Sequence, residues 1–166
     1  MLKKIGNILS TMVLIAMILL AILLAGPYAA GIKTYAVVSG SMEPTLHTGS
    51  LAYVKPADAS EIKEGDIITF LMNGSSMVAT HRVVNINEKN REFTTKGDAN
   101  NTQDAPISFD RLVGKTLISI PYLGYLTMFI KTKQGMVLAV CILTLMILFS
   151  AISKIIGKEK YEAKKI

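Results

Sequence analysis

Two long stretches of this chain carry no charged residue: positions 5–32, a run of 28, and positions 134–153, a run of 20. A helix needs about 20 predominantly apolar residues to cross a hydrocarbon core roughly 30 Å thick. Both stretches therefore predict membrane-spanning helices, over 8–26 and 135–153, with Gly26-Pro27 as the exit signal of the first. Between them, residues 27–134 change character. Apolar and polar positions alternate over short distances, and turn residues such as Gly49-Ser50, Glu64-Gly65 and Asn73-Gly74 punctuate them. That pattern predicts strands over 34–38, 51–54, 66–70, 77–84, 92–96 and 112–120. Residues 83–95 predict a hairpin with Glu88-Lys89-Asn90 at its tip, each half alternating as a half-buried antiparallel pair does. No amphipathic helical period stands out in this middle region. The expected fold is mainly β, a small antiparallel β-sheet domain between two transmembrane helices.

A cleavable leader is the competing reading of the first apolar stretch, with Lys3-Lys4 as its basic start. The apolar core at 12–25 is at the long end for a leader. No convincing small-x-small pair follows it: Ala30 has Tyr28 two positions before it and Ala29 has Pro27. A retained anchor is the favoured reading. Charge then sets the orientation. The tails at 1–7 and 154–166 hold seven lysines against Glu159 and Glu162, whereas 27–134 holds eleven basic and ten acidic residues. The net +6 is thus +5 from the tails and +1 from the middle. Basic flanks favour the cytoplasmic side, so both tails are expected inside and the β domain outside, in a multi-pass arrangement. The basic balance is a topology signal and gives no reason to expect a nucleic-acid partner. The single cysteine, Cys141, lies in the second apolar stretch. The outer domain is therefore expected to rely on its core alone, without an internal disulfide.

Which residues could carry chemistry? Ser41 stands in Val37-Val38-Ser39-Gly40-Ser41-Met42-Glu43-Pro44-Thr45, just beyond the first apolar stretch. Most serines in such a setting only make turns, and a serine hydroxyl is a poor nucleophile unless a neighbouring base takes its proton. The chain has two histidines, His47 and His81, and histidine is the side chain best matched to that task near neutral pH. His47 reads as an exposed turn residue. On a strand, His81 shares its face with Met77, Ala79 and Val83, which suits either a shielded base or a buried structural histidine. A carboxylate that accepts the ring N–H would fix the imidazole tautomer. Asp98 and Asp104 are the candidates, in the segment that follows the hairpin. Asp110, beside Arg111, reads as a pairing or capping residue, and by composition alone the whole segment 97–110 reads as a solvated turn. No histidine–cysteine pair has metal-ligand spacing and no glycine loop suits a phosphate. Neither a metal nor a cofactor is expected. Asn73-Gly74-Ser75 and Asn100-Asn101-Thr102 fit the glycosylation acceptor pattern as chance matches.

Four short blocks occur in order along the middle region: Ser39-Gly40-Ser41-Met42-Glu43-Pro44-Thr45, Gly65-Asp66-Ile67-Ile68-Thr69-Phe70, Thr80-His81-Arg82-Val83-Val84, and Thr95-Lys96-Gly97-Asp98-Ala99-Asn100-Asn101 through Asp104. Together with Val113-Gly114-Lys115 and Ile120-Pro121-Tyr122-Leu123-Gly124 they resemble type I signal peptidases. The resemblance is to the endoplasmic-reticulum type, shared by eukaryotes, archaea and some Gram-positive bacteria. The common bacterial form has lysine where this chain has His81. The resemblance implies that the β domain is catalytic, a serine endopeptidase in which Ser41 attacks and His81 is the general base. It implies Asp104 as the group orienting His81 and Asp98 as a supporting acid, with these two roles exchangeable on sequence grounds. The backbone N–H of Ser41 and the Ser39 hydroxyl would support the oxyanion. The implied substrates are signal-peptide-bearing preproteins, cut after a small residue at Ala-x-Ala-like sites. The implied setting is the lipid bilayer of the cell membrane, or of the endoplasmic reticulum in a eukaryote, alone or within a membrane complex. The alternative is an inactive, membrane-anchored scaffold or binding homologue.

Overall fold

The computed structural model describes residues 2–162 except positions 73 and 75. The acceptor pattern Asn73-Gly74-Ser75 lies outside the described residues at its first and third positions. The chain divides into two units, residues 27–128 and the helical segments on either side of them.

Residues 27–128 are built on one antiparallel sheet. Its strands are β1 (Lys33–Ala36), β2 (Leu51–Lys55), β3 (Ile67–Leu71), β4 (Val78–Asn87), β5 (Glu92–Lys96), β6 (Ile107–Ser108) and β7 (Leu112–Ile120). Their order across the sheet is β1-β2-β7-β3-β4-β5-β6. The expected strands all occur, β5 and β7 with the expected ends and the other four displaced by at most three residues at an end, and the β4–β5 hairpin turns at residues 88–91. Bulges at Tyr53/Val54, Thr69/Phe70 and Val83/Asn85 interrupt the register. Each inserts an unpaired residue that bends its strand, so the sheet curls over its apolar face. That face holds Ile62, Ile68, Phe70, Val83, Phe93, Ile107 and Phe109. Phe93 is fully buried, its ring centroid 4.4 Å from that of Phe109. Phe93→Ala is expected to cost about 3–5 kcal/mol, the usual range for emptying a buried aromatic site, read as a lowered unfolding midpoint.

Two elements of this unit do not show in the hydrophobic pattern. Strand β6 is two residues long, too short to display a period. Helix α2 (Leu123–Ile130) reads LGYLTMFI, apolar almost all round, so no polar face marks it as a helix.

The helical unit contains α1 (Leu2–Ala29) and α3 (Lys133–Glu162). Within α1, Thr11–Ala29 is long and apolar enough to cross a membrane. In α3, the apolar stretch Lys133–Phe149 meets that criterion only when joined with α2 as one broken span. The helix α1 does not stop at Gly26-Pro27, as the sequence suggested. A proline forfeits one N–H donor and need not end a helix that has nearly finished. The stop comes at Gly31, whose φ of 71° is the left-handed conformation that glycine adopts without a Cβ penalty.

Candidate active site

The loop between β1 and β2, residues 37–50, carries Ser41. Met42 and Leu46 on either side of its turn are 2% and 4% exposed and pin it to the core. Backbone hydrogen bonds close the loop on itself: Val37 N–H donates to Ser50 O, Gly49 N–H to Val37 O and Ser50 N–H to His47 O. Beneath it, Tyr125 N–H donates to Gly49 O. A Cβ on Gly49 would overlap the Tyr125 ring, and one on Gly124 would overlap the Ser50 carbonyl. The α2 helix thus buttresses the serine loop, a role that nothing in its composition signals.

From the neighbouring strands come the other groups. His81 lies in β4, 13% exposed at its side chain, with its ring centroid 6.2 Å from that of Phe70 on β3. Its Nε2 is 3.1 Å from Ser41 Oγ and its Nδ1 is 2.6 Å from Asp104 Oδ2. An ionised carboxylate can only accept, so Nδ1 carries the ring proton. In the neutral ring Nε2 is then the acceptor, and Ser41 Oγ–H donates to it. Ser39 Oγ lies 3.3 Å from Ser41 Oγ. With the Ser41 proton committed to His81, Ser39 is the donor of that pair. Ser41, His81, Asp104 and Ser39 are therefore brought together in one chain of hydrogen bonds.

Asp98 is held differently. Arg82 grips it with two bonds, Nε to Oδ1 at 2.8 Å and Nη2 to Oδ2 at 2.6 Å, and Thr45 Oγ1 donates to Oδ2 at 2.5 Å. The Arg82 hydrogen bonds hold the Asp98 carboxyl below the usual aspartate range against the upward push of burial, and Thr45 adds to the effect. Such a tie is fully present above the ordinary aspartate value near 3.8 and is lost only as pH falls through the lowered folded-state value. Stability lost in mildly acidic solution is therefore expected to be the same in Asp98→Asn and in the unmodified chain. The unmodified chain should be the more stable of the two by the same margin at pH 7 and at pH 5, because it keeps the tie throughout that range. A thermal-unfolding series from pH 7 to pH 5 checks this.

Through Thr45, Asp98 also fastens the serine loop to the segment after β5. A second fastening is backbone: Ala99 N–H donates to Ser41 O at 2.9 Å. Gly97 makes this approach feasible, since a Cβ there would sit 2.5 Å from Ser41 O and 2.7 Å from Asn100 Nδ2. The segment at 97–110, read from composition as a solvated turn, also fastens the serine loop through its first residues, 97–99. His47 pairs with Glu43 at 2.6 Å, its side chain 59% exposed, and Asp110 reaches Arg91 at 3.5 Å on the surface. Both stand apart from the Ser41 cluster. Among the described residues, no group of three His, Cys, Asp or Glu side chains could hold a metal ion.

A groove of about 390 Å³ opens beside Ser41 and His81. The segment 35–39 lines one wall and Val78, Ala79 and Thr80 another, with Met72 and Met77 also along it. None of its described lining residues is Asp, Glu, Lys or Arg. An apolar trough with one polar cluster suits a ligand chosen for small or apolar side chains.

Residues 8–104 match the family described as signal peptidase, peptidase S26. The chain is 38% identical over 117 residues to signal peptidase I W of Bacillus subtilis, covering 64% of this chain and 61% of that protein. It is 32% identical over 102 residues to the human signal peptidase complex catalytic subunit SEC11C, covering 55% of this chain and 53% of that protein. With the SEC11 catalytic subunit of Scheffersomyces stipitis the identity is 33% over 125 residues, covering 66% of this chain and 75% of that one. The chain belongs to the signal peptidase family, peptidase S26. It spans 61% and 53% of the length of the first two of these relatives.

Proposed function

We propose that this protein is a membrane-anchored serine endopeptidase that removes N-terminal signal peptides from exported preproteins, cutting after a small residue. The observation that carries the proposal is the continuous hydrogen-bonded chain Ser41–His81–Asp104 at the edge of an uncharged groove. Ser41 Oγ attacks the scissile carbonyl carbon as its proton passes to His81 Nε2. The imidazolium that forms lies against Asp104, which orients the ring and offsets its charge. The Ser41 backbone N–H and the Ser39 hydroxyl donate to the oxyanion. When the tetrahedral intermediate collapses, the carbon–nitrogen bond breaks and His81 protonates the departing amine. Water, with His81 again as base, then hydrolyses the acyl-enzyme and restores Ser41.

Asp98 acts in this scheme as a supporting acid at one remove, through the serine loop it fastens. The same logic applies to Gly97. Gly97→Ala places a Cβ against the Ser41 carbonyl, a backbone atom that cannot swing aside. Moving a reacting group by about 1 Å can cost on the order of a hundredfold in rate. A loss of tenfold or more in cleavage rate is expected, with KM little changed, checked by steady-state kinetics on a preprotein.

For topology we propose two spans, both tails in the cytoplasm and the β domain on the outer side of the cell membrane, or of the endoplasmic reticulum in a eukaryote. The lysine-rich ends and the two uncharged stretches support it. The deciding experiment incubates a signal-bearing preprotein with detergent-solubilised chain, Ser41→Ala and His81→Lys, followed by N-terminal sequencing of the product. Cleavage after a small residue by the unmodified chain alone is the expected result. A folded, inserted but inert unmodified chain would instead make it a scaffold or one dependent on a partner.

A further inference from the structure

Thr95 lies on β5 and is fully buried. Its strand alternates, and the other inward residue, Phe93, fills the core. At such a position an apolar β-branched side chain packs as well as threonine, and a buried hydroxyl is unfavourable unless it is hydrogen-bonded. Here the hydroxyl has a partner. Thr95 Oγ1 donates to Asp104 Oδ2 at 2.7 Å, and Thr95 O accepts from Asp104 N–H at 2.8 Å. Asp104 is thereby held at both its backbone and its carboxylate by one residue. The oxygen that Thr95 contacts is also the one that meets His81 Nδ1 at 2.6 Å.

We propose that Thr95 is a positioning residue for the Ser41–His81–Asp104 array, fixing the Asp104 carboxylate and sharing the charge of the oxygen that faces His81. The proposal rests on the endopeptidase reading given above. Two donors on one oxygen divide its negative charge between them, so the Thr95 hydroxyl moderates the pull of Asp104 on the imidazolium. The ionisable groups facing His81 are Asp104, through the hydrogen bond, and Asp98, through its field. Asp98 is paired with Arg82, and β3, which has no ionisable side chain, places Ile68 opposite His81 and the Phe70 ring edge-on to it. Asp104 is thus the carboxylate through which a change at position 95 reaches His81.

The sign follows. Without the Thr95 donor, Asp104 bears a less compensated charge. The pull of Asp104 on the imidazolium is then stronger, and the ring gives up its proton less readily. Thr95→Val keeps the shape and removes the hydroxyl, whereas Thr95→Ser keeps the hydroxyl. With full-length chain in detergent and a preprotein substrate, Thr95→Val is expected to lower kcat by roughly tenfold to a hundredfold, the range for a lost hydrogen bond to a charged group. KM should change little, and the acid limb of the kcat/KM profile should move to higher pH. Thr95→Ser should restore both rate and profile. Should the valine variant not fold, serine against alanine at position 95 isolates the hydroxyl, because both lack the methyl. An unmodified chain that cleaves, a Ser41→Ala that does not, and a Thr95→Val with normal rate and unmoved acid limb would overturn the proposal alone. So would serine and alanine variants slowed equally, which would mark a packing role. An unmodified chain with no serine-dependent cleavage would instead overturn the endopeptidase reading beneath it.

Discussion

Ser41→Ala is expected to abolish preprotein cleavage, with a fall in kcat on the order of 10⁴–10⁶, the scale on which serine–histidine peptidases lose activity when the nucleophile is removed. The change deletes one oxygen from a half-buried site and leaves untouched Met42 and Leu46, which anchor the loop in the core. Stability and substrate affinity should therefore stay close to those of the unmodified chain. A binding assay on a non-cleavable preprotein and a melting curve would separate lost chemistry from lost structure. His81→Ala should fall to a similar level, because the hydroxyl at 3.1 Å has no other base within hydrogen-bonding reach among the described residues. The double variant should be no slower than either single one. Groups that act as one unit give strongly non-additive losses. A double variant slower by the product of the two single effects would mean that Ser41 and His81 act independently, and the proposed mechanism would fail.

Asp104→Asn is the second large effect, expected near 10⁴-fold in kcat by the tautomer argument. The aspartate accepts from His81 Nδ1, which leaves Nε2 free to take the Ser41 proton. An asparagine at this place can turn its NH₂ toward the ring. Nδ1 would then accept, Nε2 would carry the hydrogen, and the ring would face Ser41 with a donor. The geometry survives and the base does not. Asp98→Asn should behave otherwise. It weakens the tie that runs from Arg82 through position 98 to Thr45 of the serine loop, and leaves the His81 tautomer alone. Its loss should be smaller and accompanied by reduced stability. Equal losses in both variants, with unchanged melting points, would contradict this division of roles.

Several features could be read without any coordinates. Alternating apolar positions located six strands, since a strand with one buried face must alternate. The hairpin tip followed from turn chemistry at residues 88–90. Ser41 could be singled out by its setting between Gly40 and Met42 with Pro44 close behind, and His81 because the chain has only two histidines. The helix α2 could not be found in this way, being apolar on nearly every side. Its buttress of Gly49 and Ser50 depends on close backbone contact, which leaves no period in the sequence. Thr95 carried no signal either, because a threonine on a strand is ordinary until its hydroxyl is seen to end on Asp104.

The assignment of the two aspartates shows where local sequence stops. The chain determined that Asp98 and Asp104 follow β5 and that His81 and Arg82, adjacent on β4, face opposite ways. Which acid meets which base was decided by pairing across the sheet. Arg82 stands opposite Lys96 and Val83 opposite Thr95, so the residues just after Lys96 bring Asp98 to Arg82. The chain then loops out and returns, and Asp104 N–H bonds to Thr95 O, which sets its carboxylate beside His81. A slip of one residue in that register would send each side chain to the other face and exchange the partners. Alternation is a property of neighbours along the chain, and the sequence expresses it. Register depends on bulges, turns and packing among residues far apart in the chain, and only the folded sheet fixes it.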